Sequence, residues 1–305
     1  MISVCIPVFN TDVRKLADAL QKQAPGIPAE ILLLDDGSDE SFREINRSVR
    51  GQGIRYAELP GNTGRAAVRN RFAGLAGYGH LLFLDCDSEI LSADFLSRYA
   101  RALKENPGSI ICGGRIYGEK SPGRKYRLHW KYGKFRESRP LRDRLRDPAR
   151  SFMTNNFMIP FEYLKDTPFD ERIRGYGHED TLFGFMQSRK GRNILHIDNP
   201  VLHGDLETNP VFVAKTGEAV RNLVRITRLP GIDHGFQDTV TLLSSAQKLR
   251  GAGWGGIALF LSRIWVPVSV RLLRGGYGGL KMLDSYKLGL FLILSRRAEG
   301  DASPA

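Results

Sequence analysis

Two acidic clusters are the residues of this chain best suited to chemistry. The first, Asp85-Cys86-Asp87, directly follows a short apolar run that is typical of a buried strand. Two carboxylates this close together are costly to bury unless hydrogen-bond donors or a cation satisfy them. A divalent metal bridged to a diphosphate would do so. A strand-ending aspartate can also simply cap the next helix, so the triplet alone leaves both interpretations open.

The second cluster is Gly177-His178-Glu179-Asp180, at the start of a predicted helix. A carboxylate here could act as a general base that accepts the proton of an attacking hydroxyl group. Gly175 and Gly177 would permit the tight approach that such a loop needs. The alternative is a structural role, because acidic residues at a helix start interact favourably with the helix dipole.

His203 is a candidate partner for the first cluster. It follows a short predicted strand and a proline-containing turn. A neutral imidazole would complete a metal site begun by Asp87 if the two strand ends lie side by side. A lone histidine is otherwise more often structural.

The first 115 residues predict a scaffold in which strands and helices alternate with short connections. Such alternation is typical of an α/β fold with an open, mostly parallel sheet and helices on both faces. In such sheets ligands bind at the carboxyl ends of the strands. The polar segments after three strands are therefore expected to converge on one edge. These segments are 35–39, 61–65 and 85–87, and the predicted strands are 3–8, 30–34, 54–59, 80–84 and 109–115.

Helical patterns replace this alternation from about residue 206 onward. Apolar runs lie at 251–262, 264–270 and 288–294, and none approaches the ~20 residues that cross a bilayer. Lys and Arg border these runs, which suits helices lying in the interface of an anionic membrane. The alternatives are a helical lid on the rest of the protein or a dimer contact.

The chain is strongly basic, with a net charge of +12 and a pI of about 9.7. This balance suggests an anionic partner: nucleic acid, an acidic membrane surface or a phosphorylated substrate. Residues 115–150 carry 13 Lys and Arg against 4 Asp and Glu, so +9 of the charge lies in this aromatic-rich stretch. It is expected to be a solvated loop, a cover that receives an acidic acceptor, or a contact with lipid headgroups.

The three cysteines do not form a metal-binding pattern. Cys5 and Cys112 lie in apolar runs and are predicted to be buried thiols. The N-terminus enters a predicted strand directly, without a charged segment or a cleavage site, so we expect no signal peptide and a cytoplasmic location.

Four motifs in order along the chain resemble those of family 2 glycosyltransferases, which are inverting enzymes of the GT-A fold. This resemblance implies a Rossmann-like open mixed sheet with helices on both faces. The motifs are 3–10 (SVCIPVFN), 35–38 (DDGS), 61–65 (GNTGR) with Arg69-Asn70, and 85–87 (DCD). The block 175–180 (GYGHED) is similar to the Gly-x-Gly-x-Glu-Asp acceptor-side motif of galactosyl- and N-acetylgalactosaminyltransferase-like domains. Together these matches cover roughly residues 1–205.

The resemblance implies a role for each matched position. The donor-binding positions would be Pro7, Val8 and Phe9 along the nucleotide base, Asp36 at the base edge or ribose, Arg65 and Arg69 near the base or diphosphate, and Asp85 at the ribose or sugar. The metal, Mn²⁺ or Mg²⁺, would be bound by Asp87 and His203. Asp180 would be the catalytic base, and Glu179 would bind the acceptor or sugar.

The resemblance predicts inverting transfer of a sugar from a nucleotide-sugar donor, UDP-hexose or UDP-N-acetylhexosamine, to a hydroxyl of a glycan or lipid-linked acceptor. The setting would be cell-surface polysaccharide or glycoconjugate assembly, peripherally on the inner face of the cell membrane. The catalytic domain would span 1–205, with a nucleotide-sugar half at 1–115 and an acceptor half at 116–205 that contains the basic stretch. A helical region at 206–305 would follow. The chain lacks a Gln-x-x-Arg-Trp sequence and long membrane spans, which disfavours processive polysaccharide synthases.

Other functional classes explain less of the sequence. A nucleic-acid-binding protein would account for the basic charge and the aromatics but not for the acidic motifs, because carboxylates repel phosphates without a metal. A dinucleotide-dependent oxidoreductase should have Gly-x-Gly-x-x-Gly after its first strand, where this chain has Pro7-Val8-Phe9-Asn10. A nucleotidyltransferase or a metal-dependent phosphatase stays open as a minor alternative.

Overall fold

The computed structural model describes residues 1–232 and 234–300. The strands are β1 (Ile2–Val8), β2 (Ala29–Asp35), β3 (Ile54–Glu58), β4 (His80–Leu84), β5 (Ser88–Ile90), β6 (Ile110–Cys112), β7 (Arg115–Ile116), β8 (Asn156–Pro160), β9 (Ile194–His196) and β10 (Val201–His203). The helices are α1 (Arg14–Gln21), α2 (Glu40–Asn46), α3 (Arg65–Arg71), α4 (Phe95–Glu105), α5 (Arg127–Tyr132), α6 (Leu141–Arg146), α7 (Phe161–Asp166), α8 (Glu179–Arg189), α9 (Asn209–Ile226), α10 (His234–Thr239), α11 (Thr241–Gly251), α12 (Gly255–Arg274) and α13 (Leu280–Gly300).

Seven strands form one mixed sheet in the order β3-β2-β1-β4-β8-β6-β9. All neighbours are parallel except β8, which runs antiparallel to both β4 and β6. The predicted α/β fold with an open, mostly parallel sheet is confirmed. The reversed β8 makes the sheet mixed, as the family resemblance implied, whereas the local sequence pattern did not show which strand is reversed.

Hydrophobic side chains cover both faces of this sheet, which is why its central strands are nearly continuous apolar runs. On one face, side chains such as Val4, Ile6 and Leu82 form a buried cluster. On the other face, Cys5, Phe83 and others form a second cluster. Cys5 and Cys112 are both buried, as predicted.

A small second sheet in the order β5-β10-β7 brings together segments that are far apart in sequence. β10 is antiparallel to β5 and pairs His203 with Ser88. β10 is parallel to β7 and pairs Val201 with Arg115. This pairing sets the C-terminal end of β10 beside the residues that directly follow β4.

The basic stretch 115–150 is not wholly a solvated loop, so that alternative is wrong. It contains β7, α5 and α6, and the Arg144 side chain is buried. Carbonyl oxygens explain why a basic side chain can be buried there: Arg144 Nη2 donates to Ile197 O at 3.0 Å, and Arg144 Nε donates to Arg139 O at 3.2 Å. Local hydrophobic periodicity could not reveal these distant backbone partners.

The chain divides into two compact units. The first consists of Met1–Gly118, Glu137–Arg174 and Glu179–Asp205, and contains both sheets. The second consists of Glu119–Arg136, Gly175–His178 and the residues from Leu206 onward, and it is helical. Its core includes Leu128, Phe212, Leu273 and Leu283. The predicted helical C-terminal region is confirmed.

The prediction that no apolar run is long enough to cross a membrane is wrong. The runs at 251–262 and 264–270 largely join into the single 20-residue helix α12, because Arg263 is an ordinary helical residue and does not end it. By length and composition, α12 is long and apolar enough to span a bilayer, and 17% of its most apolar window is buried. Run length therefore gives no argument against the processive synthases.

Candidate active site

Asp85 directly follows β4 and lies between the buried Arg69 and the largely buried Arg115. Its Oδ1 accepts a hydrogen bond from Arg69 Nη2 at 3.0 Å, and its Oδ2 accepts one from Arg115 Nη2 at 2.8 Å. Arg69 comes from α3 and Arg115 from β7, so three elements meet at this carboxylate. Charge-assisted bonds of this kind hold the carboxylate in a fixed orientation.

Arg115 is in turn held by two further groups that the sequence did not identify as site residues. Its Nη1 lies 3.3 Å from Glu137 Oε2, and the Tyr117 hydroxyl donates to the same oxygen at 2.5 Å. Burial acts to lower the pKa of Arg115, but the negative charges of Glu137 and Asp85 outweigh it and raise that pKa further. Arg115 is therefore a permanent buried cation, which no local sequence pattern distinguishes from the other bases of its stretch.

Asp87 and His203 meet, as the sequence predicted they would if their strand ends were adjacent. Asp87 Oδ2 lies 3.1 Å from His203 Nδ1, and the Gly204 N–H donates to the carbonyl of Asp87 at 2.9 Å. Burial acts to raise the pKa of Asp87, but the close contact with His203 and the charges of Arg115 and Arg65 lower it to about 2. Asp87 is thus an anion at any physiological pH.

The side chains of Asp87 and His203 could bind a divalent metal ion whose remaining ligands are substrate oxygens. Asp87 Oδ1 is buried and has no hydrogen-bond partner within residues 1–232 and 234–300. No group of three or more His, Cys, Asp or Glu side chains within that part of the chain could hold an ion alone. Mg²⁺ and similar ions are usually bound by one or two carboxylates plus substrate phosphate oxygens, so Asp87 would supply the carboxylate and the His203 imidazole a further ligand.

Glu179 and Asp180 begin α8 in the same unit as these residues. Arg65 Nη1 lies 3.5 Å from Glu179 Oε1. Asp180 Oδ1 accepts a hydrogen bond from the Thr181 N–H at 2.7 Å. Burial and the charge of Glu179 raise the pKa of Asp180 to about 6, against smaller opposing effects of Thr181 and Arg69. A carboxylate with such a pKa is suited to general-base catalysis near neutral pH.

The two arginines at the ends of one helical turn of α3 connect the acidic groups. Arg69 binds Asp85, and its charge also acts on Asp180. Arg65 pairs with Glu179, and its charge also lowers the pKa of Asp87. The acidic residues that lie far apart in the sequence are therefore gathered in one electrostatic network.

The remaining predicted donor-binding residues differ in how accessible they are. Phe9 is 47% exposed, which leaves its ring free to contact a planar base. Val8 is completely buried in the core, so only its backbone can line a site, and Pro7 is partly buried. Asp36 is only 4% exposed, and its oxygens accept hydrogen bonds from the N–H groups of Thr63 at 2.7 Å and Gly64 at 3.0 Å. Asp36 thus fixes the 61–64 turn that precedes α3.

In the second unit, the glycines before α8 have the tight geometry that the sequence predicted. Gly175 and Gly177 have φ angles of +82° and +97°, and a Cβ on Gly177 would lie 2.5 Å from the Cβ of Ala219. His178 also has a positive φ of 69°, which is uncommon outside glycine. Whether this block is an acceptor-side motif stays a prediction.

Sequence comparison decides the family. The profile of glycosyl transferase family 2 matches residues 3–167, which is more than half of the chain. The chain belongs to glycosyl transferase family 2. A search of curated proteins finds no significant match to this family 2 chain. The matched segment contains Asp36, Asp85 and Asp87, whereas Asp180 and His203 lie beyond it.

Solved structures similar to this family 2 protein support the GT-A-like fold. The mannosyltransferase PcManGT from Pyrobaculum calidifontis, solved with GDP-Man and Mn²⁺, has a TM-score of 0.57 at 13% identity, over 99% of this chain and 88% of that one. Glucosyl-3-phosphoglycerate synthase from Mycobacterium tuberculosis, solved with Mn²⁺, UDP and glucosyl-3-phosphoglycerate, has a TM-score of 0.51 at 19% identity, over 77% and 82% of the two chains. TarS from S. aureus gives 0.50 at 16% identity, and this chain spans about half (54%) of its length.

Membership of glycosyl transferase family 2 supports glycosyltransferase activity. At these identities the structural likeness establishes the fold and not the substrate. The roles of individual residues must therefore be argued from the geometry of this chain.

Proposed function

We propose that this protein transfers a sugar from a nucleotide-sugar donor to an acceptor hydroxyl with inversion, in one displacement. The observation that carries the proposal is the network in which Arg65 and Arg69 connect the Asp87–His203 pair, Asp85 and the Glu179-Asp180 pair. Asp87, which is permanently ionised, suits metal binding, whereas Asp180, whose pKa is raised, suits proton transfer.

On the donor side, Asp87 and His203 would hold Mn²⁺ or Mg²⁺, which when bound stabilises the negative charge of a departing diphosphate. Arg65 is 47% exposed at its side chain and can reach phosphate oxygens, whereas Arg69 is buried and orients Asp85. Asp85 would accept hydrogen bonds from the ribose or the sugar, and the exposed ring of Phe9 would contact the base. UDP-hexose or UDP-N-acetylhexosamine is the donor class proposed.

On the acceptor side, Asp180 would take the proton of the attacking hydroxyl. Its position at the start of a helix, with Oδ1 held by Thr181, leaves Oδ2 for the incoming group. Glu179 would bind the acceptor or the sugar while it pairs with Arg65. General-base assistance of this kind contributes a rate factor of roughly 10² to 10⁴.

A donor screen tests the proposal directly. Release of nucleoside diphosphate is measured for a set of nucleotide sugars with Mn²⁺ or Mg²⁺, with and without glycan and lipid-linked acceptors. Asp180→Asn should reduce transfer by at least about 100-fold with little change in donor affinity, and Asp87→Ala should weaken metal-dependent donor binding. Asp18→Asn, on the exposed surface of α1, is the matched control. Full turnover of Asp180→Asn would remove that residue from the mechanism.

We also propose that the protein works peripherally on an anionic membrane, in glycan or glycoconjugate assembly, through α12. One side of this helix packs on α13: Trp265 Nε1 donates to Ser285 Oγ at 2.9 Å, and Ser262 is buried. The other side presents large apolar side chains to the exterior: Ile257, Phe260, Leu261, Ile264 and Val268.

The charge around this apolar face favours anionic lipid as its occupant. Residues 239–283 contain six Lys and Arg and no Asp or Glu. Each basic side chain near an anionic membrane contributes about 1 kcal/mol of attraction. A protein partner would instead have to complement a segment with this excess of positive charge.

Flotation with vesicles of anionic and of neutral lipids tests this location. The double variant Phe260→Gln/Ile264→Gln should lower binding to anionic vesicles at least about tenfold, because each buried side chain of this size contributes ~1.5–3 kcal/mol. Val211→Gln removes an exposed apolar side chain of α9 and should bind normally. Equal binding of wild type and double variant would refute the proposal, and resistance to carbonate extraction would show that α12 spans the bilayer instead.

A further inference from the structure

Asn155 is placed beside Asp85 by the antiparallel pairing of β4 and β8. The ladder pairs Leu84 with Asn156, and the Asp85 N–H donates to the carbonyl of Asn155 at 3.1 Å, which continues the pairing by one residue. Asn155 and Asp85 are therefore direct cross-strand neighbours at the edge where β4 ends.

Side chains of directly opposed residues project from the same face of an antiparallel pair. Two residues along, Phe83 and Phe157 confirm which face this is, because their rings stack at 5.1 Å between centroids. Asp85 follows Phe83 by two positions and Asn155 precedes Phe157 by two. The Asn155 amide consequently projects on the face where Asp85 meets Arg69 of α3.

The Asn155 side chain is almost completely buried, with 3% exposure, yet neither Nδ2 nor Oδ1 has a hydrogen-bond partner in the described part of the chain. Its neighbour Asn156 shows the usual arrangement of a buried amide. Asn156 Nδ2 donates to Asn199 O at 2.8 Å and to Gly114 O at 2.9 Å, and its Oδ1 accepts from the Tyr99 hydroxyl at 2.7 Å.

A buried amide without partners destabilises a folded protein, so it needs a partner that arrives from outside. An amide offers both a donor and an acceptor, which is the complement of a sugar hydroxyl group. The adjacent Asp85 carboxylate is an acceptor for a second hydroxyl. A vicinal diol would satisfy both side chains at once.

We propose that Asn155 is a specificity-determining residue that binds hydroxyl groups of the donor's hexose. This inference rests on the proposed function, because it places the hexose beside Asp85. Sugars that differ in the configuration or substitution of the bound hydroxyl would lose the contact and leave the amide unpaired. Sites built to hydrogen-bond a hydroxyl discriminate strongly against analogues that lack it.

The test compares two adjacent asparagines, Asn155→Leu and Asn156→Leu. In the substrate-free protein, Asn155→Leu should leave the Tm unchanged or raise it by a few degrees, because it removes an unpaired amide and keeps the same branched arrangement of heavy atoms. Asn156→Leu should lower the Tm, because it removes the amide that bonds the Tyr99 hydroxyl and the carbonyls of Gly114 and Asn199.

Calorimetry then separates the hexose from the nucleotide. Asn155→Leu should bind free UDP as the wild type does but bind the UDP-sugar that is the wild type's best donor about tenfold more weakly, the value of one hydrogen bond. KM for the acceptor should not change. Equal loss for UDP and UDP-sugar, a change confined to the acceptor KM, or a large fall in Tm would each overturn the role of Asn155. A wild type that is inactive with every donor would overturn the proposed function itself.

Discussion

Removing the charge of Asp180 should stabilise the folded protein while it abolishes transfer. The pKa of Asp180 is about 6 in the folded protein, against a model-peptide value of 3.8, because burial and Glu179 disfavour its ionised form. Each pKa unit corresponds to 1.36 kcal/mol, so ionising Asp180 destabilises the fold by roughly 3 kcal/mol above pH 6. Asp180→Asn keeps an oxygen for the Thr181 N–H and avoids this cost.

The stability difference between Asp180→Asn and the wild type should grow as pH rises. Below about pH 3.8 the aspartate is protonated in both folded and unfolded chains, so wild type and Asp180→Asn should differ little. As pH rises from 3.8 to 6, only the unfolded aspartate is ionised freely, and the wild type loses stability relative to the variant. At pH 8 the Tm of Asp180→Asn should exceed that of the wild type by roughly 5–10 °C.

Differential scanning calorimetry of both proteins at pH 4 and pH 8, with EDTA present, measures this difference. Asp18→Asn serves as the control for a surface carboxylate. A Tm gain of Asp180→Asn that is equal at the two pH values, or absent at pH 8, would refute the assignment of a buried, high-pKa base. A gain at pH 8 with normal turnover would keep the electrostatics but remove the catalytic role.

Two further predictions concern this network, and a third concerns the glycine turn before α8. The kcat/KM of the wild type should fall about tenfold per pH unit below pH 6 as Asp180 is protonated, and Glu179→Gln should move this limb to lower pH, which a pH–rate profile would show. Asp87→Asn should lower the free energy of unfolding by about 2 kcal/mol at pH 7 in EDTA, because the pKa of Asp87 in the folded protein is about 2. This loss should disappear as pH falls through 2. A urea titration that shows no loss of stability at pH 7 would contradict the prediction. Gly177→Ala should cost about 1–3 kcal/mol in the same assay, because its φ is +97° and a Cβ would meet Ala219, whereas Gly118→Ala, which meets nothing within 4 Å, should be neutral.

The sequence predicted those parts of the site that depend on local sequence patterns. Apolar runs that end in acidic residues predicted strand ends at one edge, and Asp87 and His203 meet there. Local sequence patterns could not predict which distant segments pair as strands. Arg115 looked like any base of its stretch until β7 placed it against Asp85.

The same limit explains the other differences between prediction and structure. Asn155 carries no motif, and its position depends on the antiparallel register of β8. Arg263 interrupted an apolar pattern without interrupting the helix, because arginine has a good helix propensity and its charge can remain in water. Periodicity detects apolar faces but not the continuity of the backbone through one charged residue.

The reversal of β8 determines which part of the second half of the sheet can influence the donor. In a parallel strand the residues after the strand reach the ligand edge, but here the edge is reached by the residues before it, around Thr154 and Asn155. Under the role proposed for Asn155, changes at this short entry segment should alter which sugar is accepted, and nucleotide binding by the residues after β1, β2 and β4 should be retained. A small library restricted to residues 153–155 would sample sugar preference without redesigning nucleotide recognition.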